Sequence, residues 1–444
     1  MATLLETDIA HLSENIAQQY AIPAQYFEDQ SIKRGLRNAD GTGVLIGVSK
    51  VGSVQGYYMM DGERVPMPGK LYYRGISVED IVEAHRKSGT FGYEEVAYLL
   101  LLGSLPTQAQ QQRFNDVMAR ARTMPAGFTE DMILKAPSRN IMNQLARSVL
   151  ALYSYDESAD DTSLENVLRQ SIGLIARFPL IAANAFAAKR HYFDGDSLIL
   201  HNPEPELSVA ENILRMIRPD AGYTLEEAHL LDLMLILHAE HSSNNSTFVC
   251  RAMTSSGTDT YSAIAGAVGS LKGPLHGGAN EAVLRQLKAI RDSGKTVKEF
   301  VEDAKTSGQR ISGLGHRVYK SYDPRAAIAK HYLEKIMENK ATLKLLPGDE
   351  QLFDVALQLE DIALNDDYFV SRNLYPNVDF YTGLIYRAIG FGPSMFTPLF
   401  ALGRIPGWIA QYREMLADPM TKIGRPRQVY TGAVLRDYVP IDER

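Results

Sequence analysis

The chain has 444 residues, 45% of them hydrophobic and 22% charged, with a formal net charge of −7 and a single cysteine. That length buries a large core in two domains or three, and the composition excludes disorder as the default state. The acidic balance excludes a basic nucleic-acid surface while allowing local positive pockets, and one cysteine excludes an intrachain disulfide framework and fits a reducing cytoplasm.

Met1 to Asp8 has no basic start leading into an apolar run, so neither a secretory signal nor a transit peptide is expected. Strand signals cluster early. Gly43 to Gly52 and Lys70 to Gly75 are short, β-branched or aromatic, and glycine-bounded, which predicts a small β-ribbon on a mainly helical protein. Helical periodicity then dominates. Ser163 to Arg177 carries Leu164, Val167, Ile172 and Leu174 on one side, with Glu165, Arg169 and Arg177 elsewhere. Pro179 should kink or break a long helix there. The longest apolar stretches, such as Leu230 to Leu237, are interrupted by charge and too short to cross a bilayer. His238-Ala239-Glu240-His241 puts two histidines three apart at a helix end, a spacing open to a metal but lacking an obvious third ligand; the alternative is that His241 lines an anion pocket. Cys250 reads as a small buried hydrophobe.

The next ionisable groups sit in turns. Gly273-Pro274-Leu275-His276-Gly277-Gly278 holds an imidazole beside glycines that let a ligand approach the backbone. A helix opening near Ala279 puts partial positive charge beside His276, favouring a neutral, donating ring; a purely structural turn histidine is the competing reading. Thr296-Val297-Lys298-Glu299 forms a capping box for a short helix that stops near Gly308. Gly313-Leu314-Gly315-His316-Arg317 lacks the third glycine of a dinucleotide fingerprint, since Val318 stands there, and no long strand precedes it. Asp323 and Pro324 read as N-cap and first residue of a helix through about Asn339, with Arg325 in its first turn, suited to share a carboxylate with backbone N–H groups. Arg317 fits a solvated basic patch as well as a site. Asp349 to Asn365 shows apolar residues at three-and-four spacing. Asp379, in Tyr375-Pro376-Asn377-Val378-Asp379-Phe380, precedes an apolar helix to Phe391. It is either that helix's N-cap or a general base, the latter if burial against Val378 and Phe380 raises its pKa. Glycines at 273, 277 and 278, and again at 390 and 392, suit ordinary turns or a hinge. Arg404, Arg425 and Arg427 add fixed positive charge, and Arg425 is near enough the chain end to reach a partner subunit. Two imidazoles and a carboxylate held in turns are the parts needed to take a proton from carbon and stabilise the enolate.

His-Ala-Glu-His, Gly-Pro-Leu-His-Gly-Gly-Ala-Asn-Glu, Gly-His-Arg-Val-Tyr-Lys-Ser-Tyr-Asp-Pro-Arg, Tyr-Pro-Asn-Val-Asp-Phe-Tyr and Arg-Pro-Arg-Gln-Val-Tyr-Thr-Gly stand in one order. In these motifs the chain resembles the citrate synthase family, from about Lys70 to the C-terminus and most densely from His238 to Gly432. It departs at Glu240, where the family more usually has aspartate, at Ser242, and before Lys70, where the enteric bacterial pattern is missing. The resemblance implies a large helical domain (1–276 and 390–444), a smaller inserted helical domain (277–389), and condensation of acetyl-CoA with oxaloacetate followed by hydrolysis of citryl-CoA. It implies that Asp379 is the base, that His276 hydrogen-bonds the thioester oxygen, and that His316 hydrogen-bonds the oxaloacetate ketone. His241, Arg325, Arg404 and Arg425 would hold carboxylates, Arg425 from the other subunit of a homodimer, with Phe400 against the organic acid. Coenzyme A would lie along Leu314, Gly315 and Lys320, with Arg372 and Asn377 nearby, and no metal or tightly bound cofactor enters. The competing expectations are a 2-methylcitrate synthase using propionyl-CoA, a non-catalytic CoA- or organic-acid-binding homologue, and a helical metalloprotein built on His238 and His241.

Overall fold

The computed structural model describes residues 9, 21–28, 31–61, 63–338, 348–433 and 435–444. The reading of Met1 to Asp8, and the last residue of the helix expected to reach Asn339, lie outside them. Two compact units divide the chain: Met1–Val48 with Arg425–Arg444, and Ser49–Gly424. In the first, Ala24–Phe27 forms a 3₁₀ turn and the Arg34 guanidinium lies 3.7 Å over the Phe27 ring. Leu45, Val48, Leu435, Tyr438 and Ile441 are exposed.

The second unit opens with an antiparallel sheet in the order β1 (Gly52–Met60), β2 (Glu63–Tyr73), β3 (Ile76–Ser77). Gly52 pairs with Tyr73 and Gln55 with Lys70, and the register shifts before Tyr57 meets Pro66. The ribbon expected from Gly43 therefore begins at Gly52. The stretch before it forms only isolated bridges such as Arg37 to Gly43: its exposed Leu45 and Val48 give it no buried face to stabilise a strand. The ribbon clamps a loop. A Cβ at Gly56 would stand 2.7 Å from the Val318 carbonyl oxygen, and one at Gly69 would stand 2.7 Å from that of Tyr322. The Gly69 N–H donates to Ser321 Oγ at 3.0 Å, and that hydroxyl donates to the Met67 carbonyl at 2.9 Å.

The helices follow as α1 (Val78–Ser88), α2 (Tyr93–Leu102), α3 (Gln108–Ala121), α4 (Ile141–Leu152), α5 (Leu164–Lys189), α6 (Val209–Ile217), α7 (Leu225–His238), α8 (Asn245–Thr254), α9 (Thr260–Leu271), α10 (Ala279–Asp292), α11 (Val297–Ser307), α12 (Pro324–Glu338), α13 (Asp349–Asn365), α14 (Asp367–Val370), α15 (Val378–Ala388) and α16 (Phe396–Leu416). The capping box at Thr296 forms, and α11 ends on Gly308 in the left-handed region. Helix α5 runs through Pro179 unbroken. Its proline is buried and the helix packs on α3, α4, α6 and α16, and that packing outweighs one lost backbone hydrogen bond. Contrary to the sequence reading, the helical stretch Leu164–Asp194 is long and apolar enough to cross a membrane, but 72% of its apolar window is buried inside the protein, as in a core helix.

Helix α16 is the axis of the unit. From Phe396 to Tyr412 every residue is buried, against α2, α5, α7, α8 and α9. Glycines on it allow close backbone approach: a Cβ at Gly403 would stand 2.8 Å from the Leu235 carbonyl oxygen, and one at Gly407 would collide with that of Ala239. Helices α10 to α15 pack largely on one another, α15 lying against α10 and α12.

Candidate active site

The end of α7 delivers His238, Glu240 and His241 beside α16. His241 Nε2 lies 3.3 Å from the Tyr319 hydroxyl, and its ring meets His316 edge-on at 5.3 Å. His316 stacks on Tyr319 at 4.6 Å. Its Nδ1 accepts the backbone N–H groups of Val318 and Tyr319, both at 3.1 Å, so the ring proton sits on Nε2. Burial, then the nearby cations Arg325, Lys320 and Arg317, push its pKa down to about 4 against the pull of Asp323. His316 is a neutral donor.

His276 is fixed the other way round. Its Nε2 accepts the Ser246 N–H at 3.2 Å and lies 2.9 Å from Ser246 Oγ, which leaves Nδ1 to carry the proton. Ser246 Oγ is itself held by the Trp408 indole N–H at 3.0 Å and by Asn244 Oδ1 at 2.8 Å. The ring is neutral, as expected, but mainly for another reason. Burial comes first, then Arg404 and Arg317, lowering its pKa to about 4.

Asp379 is the second residue of α15, not its cap. Asn377 caps the helix, its Oδ1 accepting the Asp379 N–H at 3.0 Å. Its chain neighbours Val378 and Phe380 are both buried. Burial lifts its pKa to about 6, Asp323 adding to the shift while Arg325 and Arg404 oppose it. A carboxylate of that strength is ionised at neutral pH and still basic enough to take a proton.

Two buried arginines tie these groups together. Arg325, 4% exposed, pairs bidentately with Asp323: Nη2 to Oδ2 at 2.8 Å and Nε to Oδ1 at 3.1 Å. Arg404, 1% exposed, donates Nε–H to the His238 carbonyl at 2.5 Å and lies 4.9 Å over the Phe400 ring. Phe400 in turn stacks on His238 at 4.1 Å. Arg404 acts on His241, His276 and Asp379, and Arg325 on His241, His316 and Asp379. His241 and the Asp379 carboxylate therefore lie in the field of both arginines and each catalytic imidazole in the field of one, a positive setting suited to a dicarboxylate.

The turn bearing His316 is fastened to the turn bearing Asp379. Gly315 N–H donates to the Tyr375 carbonyl at 2.7 Å, Asn377 N–H to the Gly313 carbonyl at 2.9 Å, and Asn377 Nδ2 to the Gly315 carbonyl at 3.0 Å. Leu314 is buried and bridges Pro376. Lys320 is part-exposed. Arg372 is exposed, its guanidinium 4.1 Å over the Tyr368 ring and one nitrogen donating to the Tyr368 carbonyl at 3.0 Å. Arg425 and Arg427 are exposed and belong to the other compact unit. Among the described residues no three His, Cys, Asp or Glu side chains group as metal ligands. Ser246, Trp408, Tyr319 and Asp323 belong to the site without the sequence pointing to them: Asp323 reads there only as a helix cap, and the others carry no signal beyond membership of a motif or a helix.

Residues 40–427 match the family model described as citrate synthase, C-terminal domain. The chain is 43% identical over 383 residues to citrate synthase 1 of Mycobacterium tuberculosis, covering 85% of each chain. It is 43% identical over 387 residues to the citrate synthase of Corynebacterium glutamicum, covering 85% of this chain and 84% of that one. Its fold is similar to that of Thermoplasma acidophilum citrate synthase, solved as a ternary complex with carboxymethyl coenzyme A and oxaloacetate. The TM-score is 0.78 at 31% identity, over 90% of this chain and 97% of the other.

Proposed function

The chain belongs to the citrate synthase family and has that family's activity, condensing acetyl-CoA with oxaloacetate, and we propose that the cluster around Arg325 and Arg404 performs it as follows. Arg325, Arg404 and His241 take the two carboxylates of oxaloacetate, and Phe400 lies against its carbon chain. His316 Nε2–H donates to the ketone oxygen. Asp379 removes a proton from the methyl group of acetyl-CoA while His276 Nδ1–H donates to the thioester oxygen, so base and donor act on one enolate. The enolate carbon attacks the ketone carbon, and the resulting alkoxide is protonated from His316. Water then cleaves the citryl thioester to citrate and free CoA. The observation that carries this reading is the arrangement of charge: two neutral imidazoles with opposite tautomers, His276 in the field of Arg404 and His316 in that of Arg325, and one basic carboxylate in the field of both.

Coenzyme A lies along Leu314, Gly315 and Lys320, with Asn377 beside the thioester and Arg372 near a phosphate. Residues 277–389 close as a small domain against 1–276 and 390–444, expelling water before condensation. The protein works as a cytoplasmic homodimer in the tricarboxylic acid cycle, with Arg425 of the partner subunit completing the carboxylate pocket. The exposed apolar side chains of its terminal unit, Leu45, Leu435 and Ile441 among them, support such an interface. Free thiol release from acetyl-CoA tests the reaction. It should require oxaloacetate, and the same assay with propionyl-CoA should give a lower kcat/KM. A protein that binds oxaloacetate yet frees no thiol is not an enzyme of this class.

A further inference from the structure

Glu240 has no part in the chemistry above, yet it is fully buried against the face of α16 that carries Arg404. Arg404, Gly407 and Gln411 recur at three and four residues along that helix and so share one side of it. The segment from His238 to Glu240 runs along this side. The His238 carbonyl takes the Arg404 Nε–H, and Gln411 Nε2 donates to Glu240 Oε1 at 3.1 Å. Glycines make room for the carboxyl: a Cβ at Gly407 would stand 2.6 Å from Glu240 Oε2, and one at Gly52 would stand 2.7 Å from Glu240 Cγ. Oε2 has no hydrogen-bond partner among the described residues. A buried carboxylate with only neutral donors, and one oxygen without any, must draw its stabilisation from a nearby charge.

Resting on the reading that Arg404 receives a substrate carboxylate, we infer that Glu240 is a positioning residue: it balances Arg404 in the empty enzyme and takes a proton from solvent when the dicarboxylate arrives. The charged and titratable groups around it favour this exchange. From α16, Arg404 attracts the carboxylate and Glu414, itself paired with Arg251 of α8 at 3.4 Å, repels it; from the end of β2, Arg74 attracts and Tyr73 stays neutral; from α8, Cys250 stays a thiol; and the Ser242 N–H donates. Burial, the largest influence, lifts the Glu240 pKa to about 7 despite Arg404. An incoming dianion competes for the guanidinium and repels the carboxylate. Both effects raise that pKa further, so binding draws a proton in and tightens as pH falls.

The test is calorimetric titration of oxaloacetate into the full-length protein in two buffers of different ionisation enthalpy, for wild type, Glu240→Gln and Glu240→Asp. Wild type should take up a fraction of a proton per oxaloacetate at pH 7.5, with Kd rising by up to about tenfold per pH unit above pH 7. Glu240→Gln should lose the larger part of that uptake, keeping only the share that Asp379 adds, and show a flatter Kd over the same range, while Glu240→Asp keeps a linkage with a lower midpoint. Equal uptake and equal pH dependence in wild type and Glu240→Gln overturn the inference. If Glu240→Gln does not fold, absence of uptake by wild type overturns it alone. Failure of wild type to bind oxaloacetate overturns instead the assignment of the pocket, and this inference with it.

Discussion

Asp379 reaches its working strength through its neighbours. With a pKa of about 6, set chiefly by burial, it is protonated and inert at pH 5 and ionised above pH 7. The kcat/KM for acetyl-CoA at saturating oxaloacetate should therefore rise with pH through a midpoint at or above about 6, since a bound dianion can only raise the carboxyl's pKa. His276 and His316, both lowered to about 4, should contribute no second limb between pH 5 and 8. Ser246→Ala should cut kcat by about tenfold and destabilise the protein by ~1–3 kcal/mol. It removes the hydroxyl beside His276 Nε2, leaving that nitrogen only the residue 246 backbone N–H, and strands the buried Trp408 N–H; steady-state kinetics and thermal melting read the two effects separately. The sequence placed all three reacting groups in turns, which holds for His276 and His316 but not for Asp379, the second residue of a helix, and it named the burial that Asp379 needs. It could not supply the ring tautomers, because the partners of His276 lie 30 residues away at Ser246, nor show that burial outranks the helix terminus in keeping that ring neutral.

Among the elements, those with local signals were legible and those defined by a distant partner were not. The three-and-four spacing from Asp349 to Asn365 coincides with α13, and the Thr296 box with the start of α11. The ribbon was found as a type but misplaced, because its register depends on the segment it holds, Val318 to Pro324, some 250 residues further on. Pro179 misled for the same reason: core packing overrides a local breaker. If the ribbon fixes Arg325 through this clamp, Gly69→Ala should disturb it. The added methyl would stand 2.7 Å from the Tyr322 carbonyl oxygen and 2.9 Å from Pro324 Cδ. We expect a stability loss of ~1–3 kcal/mol in denaturant titration, together with a KM for oxaloacetate that rises more than the KM for acetyl-CoA.

At the scale of the whole molecule, the expectation to test is that Arg425 serves the other subunit. If so, mixing inactive Arg425→Ala with inactive Asp379→Ala should restore about a quarter of wild-type activity after subunit exchange, since half of the dimers then hold one complete site of two. No recovery would mean that each chain completes its own pocket. The helical fold and the family were legible because several motifs stand in register across the chain. The convergence of those motifs on Arg325 and Arg404 is a tertiary fact that became visible only in the structure. The most direct test of that convergence is oxaloacetate-dependent CoA thiol release by Asp379→Asn beside wild type, with oxaloacetate affinity measured on both. Asp379→Asn should lose turnover by on the order of 10²–10⁴ while still binding oxaloacetate. Turnover within a few-fold of wild type would contradict the assignment of Asp379 as the group that takes the proton from carbon.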